Sequence, residues 1–272
     1  MAARKSKNRG LALAALSAIL LLAAPGKAED LREGVPLRLP EKVDERPLIA
    51  IVIDDVGLDW ERFRAVNRLP FPATVAFLPY GAEAQGMLDA LDPRHEAILH
   101  LPMEPKRRRE DAGPDMVPAR PGSETRRLTV RNLGKLEGYS GVNNHTGSLA
   151  TESTAAMRVV MAETRTRGLY FLDSKTSPRS VAYREGKRLG ARVVEADLFL
   201  DGDFGRRGAE HVERQLGMLE QTAEVRGYAV GIGHPYPSTI SALNAWAEAK
   251  GEAYRFVLVS ALASAGAADD GS

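Results

Sequence analysis

A parallel β-sheet curled into an α/β barrel is the architecture this sequence predicts, on three observations. Apolar, strand-like runs alternate with helical stretches in seven or eight β/α units between residues 47 and 262. The strand-like runs are short and continuously apolar, the pattern of strands covered on both faces. Several close on an acid or a histidine, and strand carboxyl ends are where barrels and open α/β sheets place their chemistry.

The first run, Ile49-Ala-Ile-Val-Ile-Asp-Asp-Val-Gly57, delivers two adjacent carboxylates to a loop and leads into a helix over 60–68. Strands follow over 74–78 and 96–101, with a helical segment over 82–91 between them. The basic, proline-rich stretch 106–122 is long for a loop in a compact domain and reads as a lid or a disordered segment. Its Lys106-Arg-Arg-Arg109 run reads as solvated surface. Helices over 124–138 and 152–167 flank a short strand over 141–145, and Gly168 suits a C-terminal cap. Further strands are expected over 169–172, 192–196, 228–232 and 255–259, with helices over 181–189, 209–226 and 238–250. The last ten residues, 263–272, read as a disordered tail. No solenoid-type repeat, phosphate-binding glycine loop or dinucleotide fingerprint is present.

Composition narrows the chemistry. A 272-residue chain can bury a large core, and 44% hydrophobic with 27% charged residues is ordinary for a globular protein. A formal net charge of +1 gives no reason to expect nucleic acid as a partner. Cysteine is absent, which excludes disulfides, thiolate nucleophiles and iron–sulfur clusters and leaves metals only histidine and carboxylate ligands. Arg4, Lys5, Lys7 and Arg9 precede an apolar stretch over 11–24 and small residues at Gly26-Lys27-Ala28, the pattern of a secretory signal peptide over residues 1–28. The apolar run is short for a membrane span, so no span is expected after cleavage, and an uncleaved anchor is the alternative. Residues 29–46 read as a linker or arm. The expected location is periplasmic or extracytoplasmic, which argues against ATP or NAD as a co-substrate.

Of five histidines, His100, His145 and His234 each stand at the end of an expected strand, in Ala97-Ile-Leu-His-Leu-Pro-Met-Glu-Pro105, Gly141-Val-Asn-Asn-His-Thr-Gly147 and Tyr228-Ala-Val-Gly-Ile-Gly-His-Pro235. If the strands are parallel, all three imidazoles gather with Asp54 and Asp55 at one end of the sheet. An Asp/His/His set with open positions is what a hydrolytic zinc centre requires. The remaining carboxylate and histidine would serve as base and acid. His95, ahead of a strand, and His211, within a helix, read as surface residues.

With these motifs in order, the chain resembles the divergent polysaccharide deacetylase family of exported bacterial proteins. Ile53-Asp-Asp-Val-Gly57 is similar to the opening Thr-Phe-Asp-Asp-Gly of polysaccharide deacetylases. His100-Leu-Pro-Met-Glu-Pro105 resembles their His-Ser/Thr-x-x-His-Pro motif, with Glu104 in place of the second histidine. Asn143-Asn-His145, Phe171-Leu-Asp-Ser-Lys175, Phe199-Leu-Asp201 and Gly233-His-Pro235 extend the likeness over roughly residues 46–262.

The resemblance implies a distorted (β/α)7-type barrel of the NodB-like kind, a divalent metal, most often Zn2+, and an acetylated glycan as substrate. By position, Asp54 would be the catalytic base, Asp55 and His100 metal ligands, and His145 the third ligand, with Glu104 its runner-up. His234 would protonate the leaving group. Asp173 and Lys175 would orient these groups or touch substrate, or form a helix-entry turn; Asp201 and Asp203 read as structural. The arginine-proline motif that buttresses the catalytic aspartate in active deacetylases has only a loose substitute in Ser177-Pro-Arg179. That departure supports an alternative, an inactive envelope protein that binds glycan or a protein partner. A metal phosphoesterase is a weaker third reading, since Lys175 is the only basic residue at a strand end.

Overall fold

The computed structural model describes residues 44–107, 109–202 and 207–268. The expected signal peptide, nearly all of the expected linker, and Asp203 lie outside the described residues. No helix among those described is long and apolar enough to cross a membrane.

Nine strands form one parallel sheet: β1 (Leu48–Val56), β2 (Thr74–Phe77), β3 (Glu96–Met103), β4 (Gly141–Thr146), β5 (Tyr170–Asp173), β6 (Val193–Glu195), β7 (Leu198–Phe199), β8 (Tyr228–Gly233) and β9 (Arg255–Phe256). Their order is β6-β5-β4-β3-β2-β1-β8-β7, with β9 added on β1. The two edge strands, β6 and β7, are consecutive in the chain and joined by Ala196 and Asp197 alone. Those residues close the seam, because Ala196 N–H donates to Asp173 O on β5 while Asp197 N–H donates to Val230 O on β8. β6 and β7 are thus one broken barrel strand, and the expected distorted seven-stranded (β/α) barrel is what the chain forms.

Strand alternation sorts side chains into two cores. On β1, Ile49, Ile51 and Ile53 pack outward under the helices α1 (Trp60–Asn67), α6 (Gly208–Arg226) and α7 (Pro237–Lys250). Ala50 and Val52 point inward, where they meet Ile98, Leu172, Val194, Val230 and Ile232. The helices α2 (Ala84–Asp89), α3 (Ser123–Leu133), α4 (Thr154–Thr166) and α5 (Ala182–Arg188) complete the outer layer. Local caps fix where helices begin: Asp59 accepts from the Glu61 and Arg62 amides at α1, and Ser153 from the Ala156 amide at α4.

The amino-terminal end of the barrel is closed by α8 (Val259–Ala268), whose Val259 and Ala263 enter the inner core. Its first amides are met by oxygens, Val259 N–H donating to Thr74 Oγ1 and Ser260 N–H to Glu96 Oε2. The same Glu96 carboxylate accepts from Thr74, Ser140 and Tyr170 hydroxyls, as a buried polar group must.

The structure differs from the sequence-based expectations at three points. The strand expected over 255–259 is two residues long, and a helix occupies residues 259–268, where a tail was expected from 263. His95 is buried and structural: its Nδ1 accepts from Ala73 N–H at 3.1 Å. The 106–122 stretch is ordered where described. It holds a 3-10 turn, Glu110–Ala112, and Val117 bridges to Met103 of β3.

Candidate metal centre

Parity along the strands explains the site. Inward positions 50 and 52 of β1 put Asp54 inward, 98 of β3 puts His100 inward, and 230 and 232 of β8 put His234 inward. Asp55 follows Asp54 and would face outward in a regular strand. It takes a left-handed conformation instead, at φ 58°, where the β1–β2 register shifts. This local irregularity, of a kind rare for residues other than glycine, turns a second carboxylate into the same cavity.

The ligand atoms of Asp55, His100 and His145 lie within 4.8 Å of one another. Asp55 Oδ1 is 3.3 Å from His100 Nε2 and 3.1 Å from His145 Nδ1. The far side of each ring dictates what these atoms carry. Asn143 Nδ2 donates to Asp54 Oδ1 at 2.8 Å, so its Oδ1 faces His100 Nδ1, which must donate across 2.7 Å. His145 Nε2 meets the Asp111 carbonyl oxygen at 2.7 Å and must donate there. In the neutral rings the inner nitrogens are therefore bare lone pairs, as in metal sites whose histidines are oriented by outer partners. Three acceptors converge, and Asp55 Oδ1 is buried without a hydrogen-bond partner. A cation is the group that satisfies such a set, and one oxygen with two imidazole nitrogens suits a divalent transition metal.

Two further groups flank the triad. Asp54 is 2% exposed, with Oδ2 at 3.6 Å from His100 Nε2. Burial raises its pKa above the ordinary carboxylate value, and the pull of His100 and His234 does not cancel that effect. Burial also acts on Asp55, but the His100 and His145 rings and the positive field of His234 outweigh it and hold that carboxyl well below the usual range. His234 Nε2 is 3.8 Å from Asp55 Oδ2, and its Nδ1 donates to Asp201 Oδ1 at 2.8 Å. Burial would favour the neutral His234 ring; Asp201 above all, then Asp55 and Asp54, overcome it and push its pKa up to about 9. Phe199 and Tyr236 lie beside that ring, with centroids at 6.3 and 5.6 Å. A cavity of about 340 Å³ opens over the whole group, with Arg109, Ser174 and Thr176 also on its walls.

The structure brings together Asp54, Asp55, His100, His145 and His234. It does not bring in Glu104, whose Oε2 accepts from Ala119 N–H at 2.8 Å and holds the long loop. Asp173 forms the helix-entry turn, accepting from Lys175 N–H and Ser180 Oγ, and burial raises its pKa. Lys175 pairs with Glu195 at 3.3 Å, so Ser174 and Thr176 line the cavity in its place. Arg179 binds Glu152 and does not reach Asp54, whose neutral support is Asn143. Asp201, read as structural from sequence, is the partner of His234. Asn143 and the Asp111 carbonyl escaped sequence reasoning; for Asn143 the available signal was its position two residues before His145, on the same strand face.

Comparison with known proteins shows what the chain is similar to. An Agrobacterium tumefaciens C58 protein of known crystal structure superposes with a TM-score of 0.73 at 28% identity, covering 82% of this chain and 92% of that one. A Haemophilus influenzae protein is 33% identical over 202 residues, 72% of this chain and 70% of its own length. The Escherichia coli protein YibQ is 31% identical over 196 residues, and the match spans 72% of this chain and 60% of YibQ. The family profile for divergent polysaccharide deacetylases matches residues 51–263, most of the barrel and every residue of the centre. The chain belongs to the divergent polysaccharide deacetylase family.

Proposed function

We propose that this protein is a metal-dependent hydrolase that removes acetyl groups from a glycan of the cell envelope. One observation carries the reading: three lone-pair donors, Asp55, His100 and His145, converge beside a carboxylate of raised pKa and a histidine that stays protonated at neutral pH. Asp55, His100 and His145 would hold the cation, with zinc the best match to the donor set. Bound there, it would polarise the acetyl carbonyl and lower the pKa of water.

The protein's own groups account for the proton traffic. Asp54, buried and of raised pKa, is basic enough to take a proton from the water that attacks the carbonyl carbon. Asn143 fixes which Asp54 oxygen stays free, since its amide occupies Oδ1. As the bond from acyl carbon to leaving nitrogen or oxygen breaks, His234 Nε2 gives its proton to the departing atom. Asp201 holds the ring by Nδ1, so Nε2 faces the cavity. Acetate and the free amine or alcohol result.

Residues 1–28 read as an export leader, which puts the substrate in the envelope. A non-catalytic role, binding glycan or a protein partner, is the second reading, favoured by Arg179 of the loose arginine-proline substitute pairing with Glu152 and leaving Asp54 the neutral Asn143 as its hydrogen-bond partner. Metal content of the mature protein beside His100→Ala and His145→Ala, followed by acetate release from acetylated glycans, tests both. Near-stoichiometric metal, lost in both variants, together with acetate release supports the hydrolase. Folded protein that takes up no metal, or loaded protein that releases no acetate from any acetylated glycan, turns the assignment to the binding role.

A further inference from the structure

Lys106, Arg107 and Arg109, from a run which the sequence marked as solvated surface, border a groove that adjoins the reaction cavity. Lys106, Arg107, Arg109, Glu110, Ser148 and Ser177 line it, and Arg109, Asp111 and Thr176 are shared with the cavity over the metal centre. The groove is therefore one residue removed from His145, through the Asp111 carbonyl.

In and beside the groove four cations, Lys106, Arg107, Arg109 and Arg179, stand against three acids, Glu110, Asp111 and Glu152. A single carboxylate, Glu152, serves both Lys106 and Arg179 and also accepts from Ser177 Oγ. Arg109 is matched by Asp111. Arg107 is exposed and has no ion-pair partner among the described residues. Cations with hydroxyls between them, on an open wall beside a reacting centre, suit an anionic sugar substituent: guanidinium groups take carboxylate or phosphate oxygens in pairs, and hydroxyls supply single bonds.

We propose that this groove is a subsite for an anionic saccharide unit next to the acetylated one, so the protein selects glycans that carry carboxylate or phosphate groups. The proposal rests on the glycan hydrolase reading above and narrows its substrate class. The long loop thereby has two duties, since the same segment presents the cations and supplies the carbonyl that orients His145.

The test is binding of three tetrasaccharides to the metal-loaded protein by calorimetry. They are the neutral N-acetylglucosamine tetramer, the same tetramer oxidised to carboxylates at C6, and the same tetramer phosphorylated at C6. At low ionic strength the wild type should bind one or both charged forms about tenfold tighter than the neutral one. The tighter of the two identifies the anion. Arg107→Glu should abolish the preference, and Arg107→Lys should keep part of it. Equal affinity for all three, or a preference that survives Arg107→Glu, overturns the subsite. Acetate release from the neutral tetramer is read separately. A retained charge preference without acetate release counts against the hydrolase alone, whereas release without preference counts against the subsite alone.

Discussion

Asp201 grips His234 at two points: Oδ1 accepts from ring Nδ1 at 2.8 Å, and Oδ2 accepts from the His234 backbone N–H at 2.7 Å. Oδ2 also accepts from Thr239 Oγ1 at 2.7 Å, so the carboxylate itself cannot turn. Ring and backbone are set by one group. The consequence is directional, because the only ring nitrogen left for substrate is Nε2.

Asp201→Asn should therefore lower kcat by roughly 10²-fold, within the usual range for general acid catalysis, with a smaller effect on KM. The pKa of His234, pushed up to about 9, should fall toward the ordinary histidine value, moving the alkaline limb of the kcat profile to lower pH. Folding should follow suit. The folded protein holds this proton more tightly than the unfolded chain, so the stabilisation is present in full below the unfolded histidine value of about 6.5 and is lost as pH rises through about 9. A thermal-melt series over pH 6–10 on wild type and variant reads this, and parallel curves would contradict it.

Asp55→Ala, His100→Ala and His145→Ala should each lose metal, and chelation of the wild type should lower the Tm. With free cation at roughly one hundred times Kd, binding adds about 2.7 kcal/mol to stability. A melting curve unmoved by chelator would count against the centre.

Asn143→Ala should leave Asp54 Oδ1 and His100 Nδ1 buried without their shared partner. The expected cost is about 1–3 kcal/mol, with metal affinity weakened about 10- to 100-fold. Titration of zinc against a competing chelator measures it; affinity equal to wild type would show that Asn143 does not orient His100.

Gly113→Ala offers a test at a residue that is not itself a candidate ligand. Gly113 sits at φ 77°, and a Cβ there would lie 2.4 Å from the Tyr80 ring. The loop must shift, carrying Asp111 off His145, so stability should fall by about 1–3 kcal/mol and metal affinity should fall with it. Gly217→Ala, within α6 where a Cβ meets nothing within 4 Å, should instead stabilise the protein by about 0.5–1 kcal/mol. Equal melting points for the two variants would contradict both assignments.

All five central residues were legible as groups standing at the ends of expected parallel strands. Which face each took was not legible, because strands apolar on both faces show no alternation; the inner core assigns it, placing Asp54, His100 and His234 in step with inward residues. Asp55 was expected beside Asp54 at the strand end, although regular alternation would have sent it outward; its φ belongs to a register shift that no local pattern announces. Glu104 illustrates the opposite failure. Its motif position suggested a ligand, but the Ala119 amide, on a returning loop, claims the carboxylate. His95 was misread for the same reason: its partner, Ala73, lies at the start of the preceding strand unit. What sequence hid was in each case set by a distant backbone group.

The seam of the barrel has a bearing on the order in which the protein is made. Leu48 pairs with Tyr228 of β8, and Ile53 with Gly233, so one edge of the strand bearing both aspartates is completed only by the chain's last quarter. Pairings so distant in sequence close slowly. The three cation donors, by contrast, all lie on β1, β3 and β4, which are synthesised before α4 begins. During translation the three residues proposed to hold the cation precede the proposed proton donor, and His234, arriving with β8, is the residue whose placement coincides with closure of the barrel.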